Sequence, residues 1–328
     1  ISYPPKISEQ IQKAKRMFNV AFAKSDYNGE YFYCYCTKSS YFEFVLDEAL
    51  KNDIHIETSS AFDFPIIDRL YENGKITTNN YIICNGFKKP LYMQYICETI
   101  NGGFHNTIPI LDNINELSYY EKNVKVKAKL GIRIASEEEP SFQFYTSRLG
   151  FRYNDIIDFY NQRIKNNKKF ELKMLHFFIN TGIKDTSYYW SELHKSVNMY
   201  IELKKICPEL DYEYMIEEIV SQIKTLCNQV DVPEPNIFTE FGSFTVGESG
   251  AVLYSILDQK KQNDRELWNM IDSSFMTNMP DIWAMNQRFI LLAINHWDEP
   301  YERVFLGGLT CDSQDYYSEE AHVNAIYL

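Results

Sequence analysis

No run in this 328-residue sequence approaches the ~18 consecutive apolar residues that a membrane-crossing helix needs, and no signal-peptide pattern opens it. Basic residues are in the minority, 33 Lys and Arg against 45 Asp and Glu. The net charge of −12 argues against a nucleic-acid partner and is compatible with cationic substrates. Cysteine is sparse and odd in number, with seven residues scattered through apolar segments. Cys34 and Cys36 share a strand face but have no second pair at zinc-finger spacing, so reduced thiols in a cytoplasmic protein are expected, with no metal site. Solenoid-type repeats and low-complexity tracts are also missing. What is plentiful is aromatic: 25 Tyr and 22 Phe in a chain that is 45% hydrophobic, enough for a large core or two. The sequence starts at Ile1, so the native N-terminus is expected to lie before it.

Strand-like and helix-like patterns alternate along most of the chain. Candidate strands cover residues 31–36, 54–58, 81–84, 107–111, 130–135, 174–179 and 236–240. Helical spacing marks residues 41–52, 61–73, 90–101, 113–122, 153–165, 188–207 and 212–229. Such alternation implies parallel strands with right-handed crossovers, hence a doubly wound sheet or a closed barrel. A closed (β/α)8 barrel needs eight strands, and seven are found. The irregularity is local: two long helical patterns meet across Pro208-Glu209-Leu210-Asp211 with no strand between. A barrel strand and its loop are therefore expected to be missing near Leu210–Asp211. From about Ser243 the pattern changes, with strand-like residues 251–259, 268–274, 288–295 and 303–307. The expected division is an N-terminal helix and barrel over 1–242, then a β-rich, Greek-key or sandwich-like domain over 243–328, cut short at Leu328.

In a β/α barrel, chemistry collects at the C-terminal ends of the strands. Lys38 follows the first strand, at a strand-to-helix junction with Ser39 or Ser40 as candidate N-cap. Walled by apolar groups, such a lysine loses its proton cheaply, and the neutral amine can hold an aldehyde as a Schiff base. Glu57 ends the second strand, Asn85 follows the third, Arg133 and His176 lie in the fifth and sixth, and Glu240 ends the last. A helix cap, an ion pair and a satisfied core histidine would account for Glu57, Arg133 and His176 singly; together they describe one pocket. A second cluster is Gly307-Gly308-Leu309-Thr310-Cys311-Asp312, where two glycines allow a close turn that presents a thiol beside a carboxylate.

The order YCYCTKSS, IETSSAFD, CNGFK, GIRIAS, SRLGFR, LHFFINTG, TEFGSF and GGLTCDSQD resembles the fold-type III, alanine-racemase-like pyridoxal-phosphate decarboxylases. Residues 278–283 (NMPDIW) and the CDSQD run are most similar to biosynthetic arginine decarboxylases. The resemblance implies a barrel plus a β domain and pyridoxal 5'-phosphate as cofactor, and leaves Mg2+ open as a second one. It makes Lys38 the Schiff-base lysine, Glu240 the partner of the pyridine nitrogen and His176 the histidine stacked on the ring. Glu57 and Arg133 become a supporting acid–base pair around that histidine. Cys311 would return a proton to the carbon that loses CO2, and Asp312, with Asp281 second, would bind the distal cation of the substrate. In this family the Cys-Asp loop serves a partner subunit, implying a homodimer or larger assembly.

Two features depart from the family pattern. No glycine-rich, phosphate-cradling turn is found after the seventh strand, and the usual Glu-x-Gly-Arg reads Glu240-Phe241-Gly242-Ser243, leaving Ser243 one hydrogen bond and no charge. The implied activity is decarboxylation of L-arginine to agmatine for polyamine, including spermidine, synthesis. The same chemistry on ornithine, lysine, carboxynorspermidine or diaminopimelate stays open, as does a non-catalytic regulatory relative.

Overall fold

A computed structural model describes residues 1–136, 147–178, 186–214, 220–285, 287, 289–319, 322–323 and 325–328. Contacts divide the chain into two units, one of Ser2–Gly250 and one of Ala251–Leu328 together with Ile1. The first unit therefore runs past the expected boundary at 242 and keeps the short helix that follows the last barrel strand.

The larger unit is a closed barrel of eight strands in sequential order. They are β1 (Tyr31–Cys36), β2 (His55–Thr58), β3 (Ile82–Cys84), β4 (Thr107–Leu111), β5 (Ala128–Arg133), β6 (Phe170–His176), β7 (Tyr212–Tyr214) and β8 (Asn236–Phe241). All neighbours pair in parallel, and β1 closes on β8 with Cys34 opposite Glu240. The helices are α1 (Pro5–Ser25), α2 (Glu43–Leu50), α3 (Phe64–Glu72), α4 (Pro90–Asn101), α5 (Ile114–Asn123), α6 (Ile156–Phe159), α7 (Thr186–Ile206), α8 (Val220–Gln229) and α9 (Ser243–Val246).

The missing eighth strand is present, which corrects the sequence-based expectation. Residues 212–214 open what reads as a helix, yet they form β7, pairing Met174 with Tyr212 on one side and Tyr212 with Asn236 on the other. Three residues are too few for a period-of-two pattern to stand out, and their hydrogen bonds come entirely from neighbours distant in sequence. The connection after β7, residues 215–219, where the phosphate-cradling turn is expected, lies outside the described residues.

Smaller differences have local causes. Residue 42, not Ser39 or Ser40, is the N-cap of α2, because residues 37–39 form a single 3-10 turn after β1. That turn carries Lys38. Asn113 does cap α5, its side chain accepting from the Asn115 amide at 3.0 Å.

Alternation along each strand sorts the barrel interior into layers. At the bottom, Phe32, His55, Tyr81 and Phe238 pack ring against ring, with Phe32 and Phe238 stacked at 4.4 Å. Above them Cys34, Ile83, Ile108, Ile110 and Met174 make a dry middle layer with Phe238. The next inward positions toward the C-terminal ends are Cys36, Glu57, Asn85, Arg133, His176 and Glu240. Polar groups thus sit at the top of an apolar plug that excludes water from below.

The second unit has its own core of Ile271, Phe275, Ile282, Leu306 and Tyr317. Its strands are β9 (Ile256–Asn263), β10 (Glu266–Ile271), β11 (Arg303–Gly307), β12 (Ser318–Glu319), β13 (His322–Val323) and β14 (Ile326–Tyr327), with short helices α10 (Phe275–Asn278) and α11 (Pro280–Met285). The β-rich character is as expected. Among the described residues it takes the form of one four-stranded sheet, ordered β14-β11-β10-β9, and a two-stranded ribbon. Residues 289–295 are not a strand, although they alternate: Phe289 and Leu291 pack on the core while Ile290, Leu292 and Ile294 face out. Alternation gives a segment two faces but does not supply a neighbour to pair with.

Candidate active site

The top layer of the barrel brings together six of the sequence-predicted polar groups. Lys38 lies just beyond β1, its side chain 54% exposed, with Nζ 3.5 Å from Oε1 of the fully buried Glu57. Gly242 packs against the turn that carries Lys38: a β-carbon there would press on Ser39 Oγ and lie close to Ser39 Cβ, so a larger residue at the end of β8 would displace the Ser39 side chain next to Lys38. His176 Nε2 is 3.4 Å from Glu240 Oε1. Cys36, Glu57 and Glu240 come from the adjacent strands β1, β2 and β8 and bring their sulfur and carboxylate oxygens within 4.8 Å of one another.

Electrostatics in this layer differ from the expectation of a readily neutralised lysine. Burial lowers the pKa of Lys38, but Glu57, Cys36 and Glu240 outweigh it, and the net direction is upward. The lysine is held as an ammonium because its walls are acidic rather than apolar. Burial, reinforced by the nearby Glu240 charge and opposed by Lys38, pushes the Glu57 carboxyl up. Burial likewise raises the Cys36 thiol, helped by the same two carboxylates. His176 is pushed well down by burial and by the charges of Arg133, Lys38 and Lys88, so its ring is neutral.

Asn85 settles which nitrogen of that ring carries the proton. Its Oδ1 accepts from the Gly86 amide at 2.8 Å and from Arg133 at 3.3 Å, which fixes the amide orientation. The Nδ2 group must then donate, to His176 Nε2 at 3.0 Å and to Glu240 Oε2 at 3.4 Å. The Asn85 contact thus selects the tautomer with the lone pair on Nε2 and the proton on Nδ1, in which Nε2 lies 3.5 Å from Glu240 Oε2 without donating to it. Asn85→Asp replaces the donor with an acceptor and should move the proton onto Nε2, which 15N NMR of the His176 ring reads directly. An Nε2 already protonated in the unsubstituted protein would refute the assignment.

Arg133 departs from its expected pairing with Glu57: it bonds Asn85 and lies over the Phe178 ring at 5.8 Å, while Glu57 pairs with Lys38. Gly150, at φ +97° and pressed against the Arg133 and Ala135 backbone, lets the chain return beside β5; Phe151 N donates to Arg133 O at 2.8 Å. Ser243 is exposed at the start of α9.

Cys311 and Asp312 belong to the second unit and are both exposed. Their loop is organised by Asp315, whose carboxylate accepts from Ser274 Oγ, Phe275 N, Thr310 N and Thr310 Oγ1 at 2.7–3.1 Å. Burial alone would raise that carboxyl, but the donated bonds outweigh it and hold it below its ordinary value. Gly308 lies on the same carboxylate, where a β-carbon would not fit. Asp281 is in α11.

Sequence reasoning underrated Asn85 and passed over Lys88 and Asp315. Lys88 is buried and donates to Gly86 O at 2.8 Å, Ile110 O at 2.5 Å and Glu116 Oε2 at 3.1 Å. It pins the turn that presents Asn85. The signal lay in the CNGFK run, where a lysine follows a glycine at a strand end, but nothing in the sequence indicated its burial.

A closed (β/α)8 barrel followed by a small β unit is a fold this chain shares with solved amino-acid decarboxylases. No protein-family model matches the sequence. In sequence the chain is similar to the biosynthetic arginine decarboxylase of Citrifermentans bemidjiense, 22% identical over 291 residues that cover 77% of this chain and 45% of the relative. The chain thus spans about half the length of the curated relatives it matches. In fold it is similar to the biosynthetic arginine decarboxylase of Campylobacter jejuni (TM-score 0.79, 18% identity, 98% of this chain and 70% of that one). It is also similar to the lysine decarboxylase of Selenomonas ruminantium solved with PLP and cadaverine (TM-score 0.72, 15% identity, 97% of this chain and 79% of that one).

The site's donors suit the ring and aldehyde of pyridoxal phosphate in kind: an amine (Lys38), a buried carboxylate (Glu240) and a neutral imidazole (His176) within 3.4 Å of that carboxylate. Toward the phosphate, Ser243 offers a hydroxyl, and residues 215–219 lie outside the described residues. Among the described residues no helix is long and apolar enough to cross a membrane.

Proposed function

We propose that this chain is a pyridoxal-phosphate-dependent carboxy-lyase acting on a basic amino acid, converting L-arginine to agmatine and CO2 for polyamine synthesis. The observation that carries the reading is the convergence of Lys38, Glu57, His176 and Glu240 in one layer at the C-terminal end of the barrel. The names of the relatives favour arginine over ornithine, lysine or diaminopimelate.

Lys38, His176 and Glu240 would hold the cofactor, with Ser243 toward its phosphate. When bound, pyridoxal phosphate supplies an electron sink for the bonding pair left behind when CO2 departs. Lys38 must lose a proton before it can attack an aldehyde, and Glu57 Oε1, with its raised affinity for protons, is the acceptor at 3.5 Å. Glu240 would pair with the ring nitrogen and favour its protonated form, and Asn85 orients that carboxylate. His176, held neutral, would cover the ring without adding charge. Where the α-carboxylate is lost as CO2, the Cys311 thiol would supply the proton that replaces it. Asp312 binds the distal cation, for which a planar guanidinium and a carboxylate are geometrically matched. The Cys311–Asp312 loop of one copy serving the barrel of another would make the working unit a homodimer.

The test is CO2 release by purified protein with added pyridoxal phosphate. Arginine should be turned over at least tenfold more efficiently (kcat/KM) than lysine, ornithine or diaminopimelate, about 1.4 kcal/mol of discrimination. Release from none of them sinks the proposal; preference for another of them sinks the arginine assignment.

A further inference from the structure

The top layer also contains a donor set that the proposed reaction does not use as such. Cys36 Sγ and carboxylate oxygens of Glu57 and Glu240 lie within 4.8 Å of one another. All three side chains stand on neighbouring strands of a closed barrel, so their spacing is fixed by backbone pairing, with Cys36 directly opposite Glu57. Glu57 is completely buried, and among the described residues its carboxylate meets the Lys38 ammonium and the Cys36 thiol but no conventional hydrogen-bond donor of the backbone or of another side chain. Its ion-pair partner, Lys38, is on a side chain more than half exposed that can swing outward. A buried carboxylate aimed at a thiol and a second carboxylate calls for a cation between them.

We propose that Cys36, Glu57 and Glu240 form a binding site for one thiophilic divalent cation of the Zn2+ or Co2+ class. One sulfur and two carboxylate oxygens are three of the four ligands of a tetrahedral site, and the Lys38 side leaves the fourth position open to water. Magnesium, which takes six oxygens at octahedral angles, is not suited to this set. His176 is not a ligand, because its Nε2 lone pair already accepts from Asn85 at 3.0 Å. Asn85 Nδ2, 3.4 Å from Glu240 Oε2, instead orients one of the coordinating carboxylates.

The site uses the same carboxylates that flank Lys38, so metal and aldehyde exclude each other. This second statement rests on the proposed function; the first does not.

Cobalt tests the site without any aldehyde present. Co2+ titrated into the chelator-treated protein should bind at one equivalent with a sulfur-to-cobalt charge-transfer band. Cys36→Ser should abolish the band, Glu57→Gln should weaken binding about tenfold or more, and Cys311→Ser should leave both unchanged. X-ray absorption of the zinc-loaded, unsubstituted protein, which needs no variant to fold, should give one sulfur at about 2.3 Å and oxygens near 2.0 Å. A missing band, a band lost with Cys311 instead of Cys36, or a zinc shell without sulfur overturns the proposal. Zinc-loaded protein should then form the absorbance band of lysine-bound aldehyde at least tenfold more slowly. An undiminished rate overturns the exclusion, whereas no band even without zinc counts against the proposed function alone.

Discussion

Lys38→Ala is expected to reduce decarboxylation by roughly 10³-fold or more, with no aldehyde absorbance band on addition of pyridoxal phosphate. The size follows from the chemistry: without a primary amine at this position there is no covalent capture, and the remaining groups can only bind and orient. Lys38→Arg separates charge from nucleophilicity. A guanidinium keeps a positive partner beside Glu57 but stays protonated and cannot attack an aldehyde. Both variants should therefore be equally inactive, while only the alanine variant alters the balance of charge around Glu57. The fold should survive in both, because the Lys38 side chain is 54% exposed and contributes little packing. Activity of the arginine variant within tenfold of the parent would show that the position needs a cation and not an amine. That result would remove the basis of the proposed function.

Lys88→Met should cost about 3–5 kcal/mol of stability, a large effect for a single substitution. Lys88 and Glu116 are both buried, their side chains 0% and 3% exposed, and they meet at 3.1 Å. The pair is fully supported. Lys88 also reaches two backbone carbonyls, and Glu116 accepts from Asp112 N at 3.2 Å and Asn113 Nδ2 at 3.3 Å. Burial pulls the Lys88 pKa down and pushes that of Glu116 up, each opposed by the partner's charge. Removing the lysine leaves a carboxylate without its cation in a low-dielectric interior, which is the costly half of the change. The double variant Lys88→Met, Glu116→Leu should recover most of the loss, since neither charge is then stranded. Urea unfolding of the two singles and the double gives the coupling; a double variant as unstable as the sum of the singles would mean that the pair acts through packing. Lys88 also bonds the Gly86 carbonyl next to Asn85, so the His176 tautomer should be disturbed in the lysine variant as well.

Much of the barrel was legible because its signals are local. Residues 31–36 and 107–111 announce strands by β-branched and aromatic content, and Pro90–Asn101 announces a helix by proline at its start and apolar spacing. The lysine after β1 and the acids ending β2 and β8 could be placed by counting along those strands. β7 could not. Its three residues are held by hydrogen bonds from β6 and β8, and their own pattern continues into a helix. Residues 289–295 fail in the opposite sense, with the alternation of a strand and no neighbour among the described residues to pair with.

The site divides along the same line. Which residue types stand at the strand ends is fixed by sequence order, because alternation sends every second side chain inward and the strand ends set where the layer lies. How those groups treat one another is a property of closure. Only when β8 meets β1 do Glu240, Cys36 and Glu57 share one pocket, turning a lysine expected to be neutral into an ammonium held by acids. Only the packed turn after β3 brings Asn85 between His176 and Glu240 and decides where the imidazole proton sits. The sequence by itself placed seven of the eight barrel strands and put a lysine after β1 with polar groups at the other strand ends. The tertiary structure decided the charge state, partner and tautomer of each group, because these depend on distances between strands that the chain order does not encode.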